Sequence, residues 1–191
     1  MRQLLRFRLW LVAALVFGGA GMVRGQDRIL YGIPGRPQDV TVVVGKIVEE
    51  GQKKVVIKSN AGGNKEVAVE GIIEVYYQLP ANKAAARANY QKAEALAQDA
   101  ARTQDEAKRK KLLGDAISVY SSLQKDMEDS KLIARHFQFK VASLSAQKAR
   151  GDREATLMAI DLLEKFQKDH GDSWQNHFAT KLLEELKGKK Q

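Results

Sequence analysis

The sequence contains no cysteine. That excludes disulfides, thiolate metal ligation and a cysteine nucleophile. It also removes the acylated cysteine that a bacterial lipoprotein carries after its leader. Histidine is scarce too: His136, His170 and His177 are the only three, whereas zinc needs three or four converging ligands. The expectation is no metal and no cofactor. Charge of one sign is also missing. The net charge is +9, but four arginines and no acid fall within residues 1–25, leaving +5 over the rest. So mild an excess, spread over mixed-charge segments, argues against nucleic acid as a partner. Gly32-x-x-Gly35 and Gly62-Gly63 do not lead into a phosphate-binding helix start. No Ser/His/Asp set accompanies a strand-to-helix nucleophile turn. Glu154, Asp161, Glu164, Glu184 and Glu185 stand among lysines and read as solvated faces with i,i+4 pairs. The chain is expected not to be an enzyme.

What is present falls into zones. Arg2, Arg6 and Arg8 precede an apolar run over 9–17, followed by glycines, and Val23 and Gly25 suit the small positions before a leader cut between Gly25 and Gln26. The apolar stretch covers about 15 residues, short of the roughly 20 that a membrane span needs. Residues 1–25 are expected to be a cleaved signal peptide, which places the mature chain in the periplasm or outside the cell. A retained inner-membrane anchor is the alternative.

Residues 27–79 alternate valine and isoleucine with polar residues. Strands are expected at 41–49, bent at Gly45, and at 54–58, 65–69 and 72–77, with an earlier one at 28–31 before a loop at 34–37. The glycines of Ala61-Gly62-Gly63-Asn64 suit a hairpin turn that needs positive φ. So many short strands predict a small antiparallel β-barrel. At about 50 residues it would be marginal alone, so its last strand, with Tyr76 and Tyr77, is expected to pack on the first helix.

Beyond Pro80 the period becomes helical. A helix over 83–101, capped by Asn82, presents Ala85, Ala88, Ala93, Leu96 and Ala100. Thr103-x-x-Glu106 reads as a capping box for a helix to about Met127, striped by Leu113, Ala116, Ile117, Tyr120 and Leu123. The basic run 108–111 on it reads as a solvated face. A third helix over 131–149 turns Ala134, Phe137, Val141 and Leu144 inward. Asp152 caps a fourth over 153–168, with Ala159, Ile160, Leu163 and Phe166, which ends at a left-handed Gly171. Ser173 caps the last, 174–187, with Phe178, Leu182 and Leu186. Residues 188–191 are a frayed tail.

Two of these helices repeat. Ala116-Ile117-x-x-Tyr120-x-x-Leu123 returns as Ala159-Ile160-x-x-Leu163-x-x-Phe166, 43 residues later. Asp129-Ser130 returns as Asp172-Ser173, and His136-Phe137-x-x-Lys140 as His177-Phe178-x-x-Lys181. Such a period marks stacked helical pairs. The Ala-Ile-x-x-large-x-x-large helix with its Asp-Ser turn resembles the tetratricopeptide repeat over residues 83–187, although the period exceeds that family's 34 residues. The glycine, valine and hairpin pattern from Gly45 to Tyr77 resembles SH3-like or Sm-like barrels.

The fold class expected is therefore α+β. It comprises a leader (1–25), a small β-barrel (27–79) and a tetratricopeptide-like helical stack (82–187). The leader and the resemblance together imply an exported scaffold or adaptor that binds a protein or peptide in the bacterial envelope, with the last helix of the stack expected to take a partner or, by self-association, a second copy of the chain. An Sm-like nucleic-acid module and an accessory subunit of an envelope enzyme are the alternatives. Repeat stacks bind on the concave side, which would present Arg135, Gln138, Phe139, Lys140, Gln175 and Lys181.

Overall fold

A computed structural model describes residues 26–33 and 36–188. The expected leader, part of the loop at 34–37 and the tail beyond residue 188 lie outside them. The chain separates into two compact units, one ending at Gln78 and one beginning at Leu79.

The first unit is a five-stranded antiparallel sheet. Its strands are β1 (Asp27–Ile33), β2 (Arg36–Glu50), β3 (Lys54–Ser59), β4 (Asn64–Ala68) and β5 (Ile72–Tyr76), in the order β4-β3-β2-β1-β5. The expected barrel is an open sheet: β4 pairs with β3, β5 pairs with β1, and among the described residues no ladder joins the two edges. A single 3-10 turn, Val69–Gly71, carries the chain from one edge to the other.

Gly45 is the corner of this sheet. It faces Asp27 across the β1 ladder and Ser59 across the β3 ladder, so β2 changes partner there. A side chain would place its first carbon 2.0 Å from the Lys58 carbonyl oxygen, so only glycine fits. Beyond the corner, a bulge between Ile47 and Glu49 leaves Val48 out of register and exposed. Asp27 ties the strand ends together: one carboxylate oxygen accepts from the Ile47 amide and the other from the Gln78 amide, each at 2.8 Å. The β3–β4 turn is as expected, with Gly62 at φ 101° and Gly63 at φ 74°.

The second unit holds five helices: α1 (Ala84–Arg102), α2 (Glu106–Asp126), α3 (Lys131–Lys148), α4 (Arg153–His170) and α5 (Gln175–Gly188). Each packs on the next, and α3 also meets α5. The chain is thus α+β, and the helical layout is compatible with a hairpin stack. Several local expectations need correction. Asn82 does not cap α1; Lys83 is the N-cap and offers no side-chain bond. Thr103 does not cap α2. It closes α1, and Asp105 accepts the Lys108 amide at 3.0 Å instead. Gly171 is not left-handed but continues the helix at φ −60°. The carbonyls at that end are satisfied otherwise. The Ser173 hydroxyl donates back to the His170 carbonyl at 2.8 Å, so it points away from the helix it was expected to cap, and the Asn176 amide donates to the Gly171 carbonyl at 3.1 Å.

The duplication survives in the hydrogen bonds of the Asp-Ser turns. Asp105 and Asp152 also cap α2 and α4, each accepting at 3.0 Å from the amide three residues on, although they stand 47 rather than 43 residues apart. At the Asp-Ser turns, Ser130 donates its amide to the Met127 carbonyl and Ser173 donates to the His170 carbonyl. Ser130 and Ser173 each then accept from the amide three residues later. Ala116 and Ala159 are both fully buried, as are Leu123 and Phe166.

The core follows this repeat with a shift on the first helix. Ala86, Tyr90, Ala93 and Ala100 are buried on α1, while the expected Ala85 and Ala88 are exposed. Helix α3 lies between two cores. Phe137 points into Tyr90 and Tyr120, and Phe139, nearly half a turn away, packs on Phe166 and Trp174. The second core joins Phe139, Ala142 and Ala146 to Ala159, Leu163 and Phe166 and to Ala179, Leu183 and Leu186 of α5. Phe178 and Leu182 lean on its rim.

Candidate functional site

The densest group of polar chemistry among the described residues lies where α1, α2 and α3 meet. Glu94 on α1 accepts the hydroxyl of Tyr120 on α2 and faces the Lys140 ammonium of α3 at 3.2 Å. Both charged side chains are nearly out of water, at 13% and 11% exposure. That seclusion makes removal of one partner costly, because the other charge remains buried. One turn earlier on both helices, the Tyr90 hydroxyl lies 3.5 Å from Nε2 of His136. The His136 ring has no exposure and stands edge-on to Tyr90 and tilted against Phe137. Burial, then the charges of Lys140 and Arg135, hold it well below the ordinary imidazole value. The ring is therefore neutral at pH 7.

His177, in the place in the repeat that matches His136, stands edge-on to Phe178 at 5.3 Å. His170 closes α4, with Nε2 2.8 Å from the Gln138 carboxamide oxygen and its ring beside Phe166. Burial first, and Arg135 next, lower its affinity for a proton. Among the described residues, no three histidine or acidic side chains gather as a metal set.

The six residues expected to line a concave binding surface do not share an accessible face. Phe139 belongs to the second core, Lys140 is committed to Glu94, and Gln175 is fully buried. Gln138 is engaged with His170, and Arg135 is half-buried. Lys181 alone of the six is exposed, lying over the Phe178 ring at 5.9 Å. The cause is the double role of α3: a helix covered on both sides leaves little for a ligand. Gln175 is unusual in another way, since neither amide atom has a hydrogen-bond partner.

The basic run on α2 is a solvated face. Arg109 and Lys110 pair with Glu106, and Lys111 pairs with Asp115. A shallow depression of about 250 Å³ between α1 and α2 is lined by Lys92, Leu96, Asp115, Ser118 and Val119, with no convergent catalytic set. Exposed apolar side chains concentrate on α4 at Leu157, Met158 and Leu162. Tyr90 and Glu94 carry little signal in the sequence: the spacing Ala86, Tyr90, Ala93, Ala97, Ala100 that places Tyr90 inward is hidden by alanines on every face of α1, and nothing local marks Glu94. Among the described residues no helix is long and apolar enough to cross a membrane. Comparison of the chain with protein-family models, with curated proteins and with solved structures found no match.

Proposed function

We propose that the chain is an exported, non-enzymatic scaffold that binds another protein in the bacterial envelope through its helical unit. The observation that carries this reading is the repeated hairpin chemistry of α2 to α5. The same Asp-Ser turns and the same buried alanines recur 43 residues apart, and an aspartate caps both α2 and α4. Repeated helical pairs give extended surfaces on a regular frame, which suits protein recognition rather than the enclosed site that catalysis needs. The tetratricopeptide-like reading belongs to this proposal. Its support is the Ala-Ile-x-x-large-x-x-large helix, and its departure is the longer period. Export rests on the basic, apolar and small-residue order of residues 1–25. The open sheet, with its charged β4 edge at Lys65 and Glu66, is read as a companion module.

Cross-linking of the tagged protein in envelope fractions, followed by mass spectrometry, tests the reading. A reproducible partner cross-linked through helical lysines such as Lys165 and Lys181 is the expected result. A monomer without partner cross-links, or cross-links confined to Lys46, Lys58 and Lys65 of the sheet, would contradict it. Recovery of the chain in the cytoplasm with Met1 retained would contradict the export part alone.

A further inference from the structure

The joint between α1 and α3 is made by long side chains: Tyr90 meets His136 and Phe137, and Glu94 meets Lys140. Lys140 and Arg135 of its own helix both disfavour a charged His136 ring. From α1 the neutral Tyr90 hydroxyl lies 3.5 Å from its Nε2. Glu94, one turn along α1, is shared between Lys140 and the Tyr120 hydroxyl of α2. A proton arriving on His136, whose ring is fully buried, would therefore place a further positive charge out of water.

We propose that this joint is acid-labile: mild acid charges His136, the charged ring draws water into the joint, and α1 parts from α3. The direction follows from proton linkage. Above the ordinary imidazole value of about 6.5, the ring is neutral whether the joint is open or closed, and pH has no effect through it. Below that value an open joint takes up a proton. A closed joint does not, because burial and the two cations disfavour the charged ring. Opening is then favoured about tenfold for each further pH unit, until the closed form itself takes up a proton. This device depends neither on export nor on any partner.

The absence of native cysteine provides a clean probe. Ala93 is fully buried on α1, whereas Ala85 on the same helix is exposed. The ratio of thiol-labelling rates for Ala93→Cys and Ala85→Cys cancels the effect of pH on thiol chemistry and reports opening of the helix. Between pH 7.5 and 5.5 the ratio should rise about tenfold. Adding His136→Gln should abolish the rise, with His136→Phe as a second neutral replacement should glutamine disturb the fold. Adding His170→Gln should leave the rise in place. A flat ratio in the parent protein would overturn the proposal. So would a rise that persists in the neutral His136 variants, or one that His170→Gln removes.

Discussion

Gly45 and Gln175 make opposite demands on their surroundings. At Gly45 the close approach of the Lys58 carbonyl leaves no room for a side chain. Gly45→Ala should cost about 3 kcal/mol, the upper part of the range for overpacking. Urea denaturation would show it as a lower midpoint, and an unchanged midpoint would mean that β2 does not turn there. Gln175 is buried with neither amide atom bonded. A buried, unsatisfied amide costs about 1–3 kcal/mol, so Gln175→Met, which keeps the shape and removes the polarity, should stabilise the protein by about 1 kcal/mol. A lower melting temperature in this variant would show that the amide is satisfied in solution. The sequence marked Gly45 as a bend because a glycine interrupts a valine run. It could not mark Gln175, since burial of a glutamine depends on how the α4–α5 turn folds back. The same limit hid Glu94, whose partners lie 26 and 46 residues away.

At the scale of elements, the caps and the ion pair are the informative features. Asp105→Ala and Asp152→Ala should each cost about 1 kcal/mol, and Thr103→Ala distinctly less, because the threonine does not cap α2. Equal losses at Thr103 and Asp105 would restore the capping box. Breaking the Glu94–Lys140 pair by Lys140→Met should cost about 3 kcal/mol, because it leaves Glu94 uncompensated. Combining it with Glu94→Gln, which keeps an acceptor for the Tyr120 hydroxyl, should recover much of that loss. A double variant as unstable as the single one would show that the charge on Glu94 is not the problem. Strand and helix positions were legible in the residues because period-2 and period-3.6 patterns are local. The helix ends were less so. Thr, Asp and Ser all suit a cap, and which of them serves depends on where the preceding helix stops. Gly171 illustrates this: Ser173 and Asn176 satisfy the carbonyls that a left-handed glycine would otherwise have served.

At the scale of the molecule, the repeat gives the helical unit its regularity, and the place of α3 within it leaves little of that helix for a binding surface. Phe137 and Phe139 are two residues apart, so they had to face opposite sides. The sequence permitted either a core on one side with a ligand on the other, or two cores. The helical unit has two cores, and Phe139, one of the six residues expected on the concave surface, packs in the second. The sheet was legible strand by strand, but its closure was not, because closure depends on which edges meet. The repeat makes α2 and α4 equivalent seams, each built on a buried alanine. Equilibrium urea denaturation of Ala116→Leu and Ala159→Leu measures that equivalence. Both side chains overpack a fully buried position, so each variant should lose about 1–3 kcal/mol, with midpoints shifted by similar amounts and the steepness of the transition preserved. One variant behaving like the parent while the other collapses would contradict the equivalence.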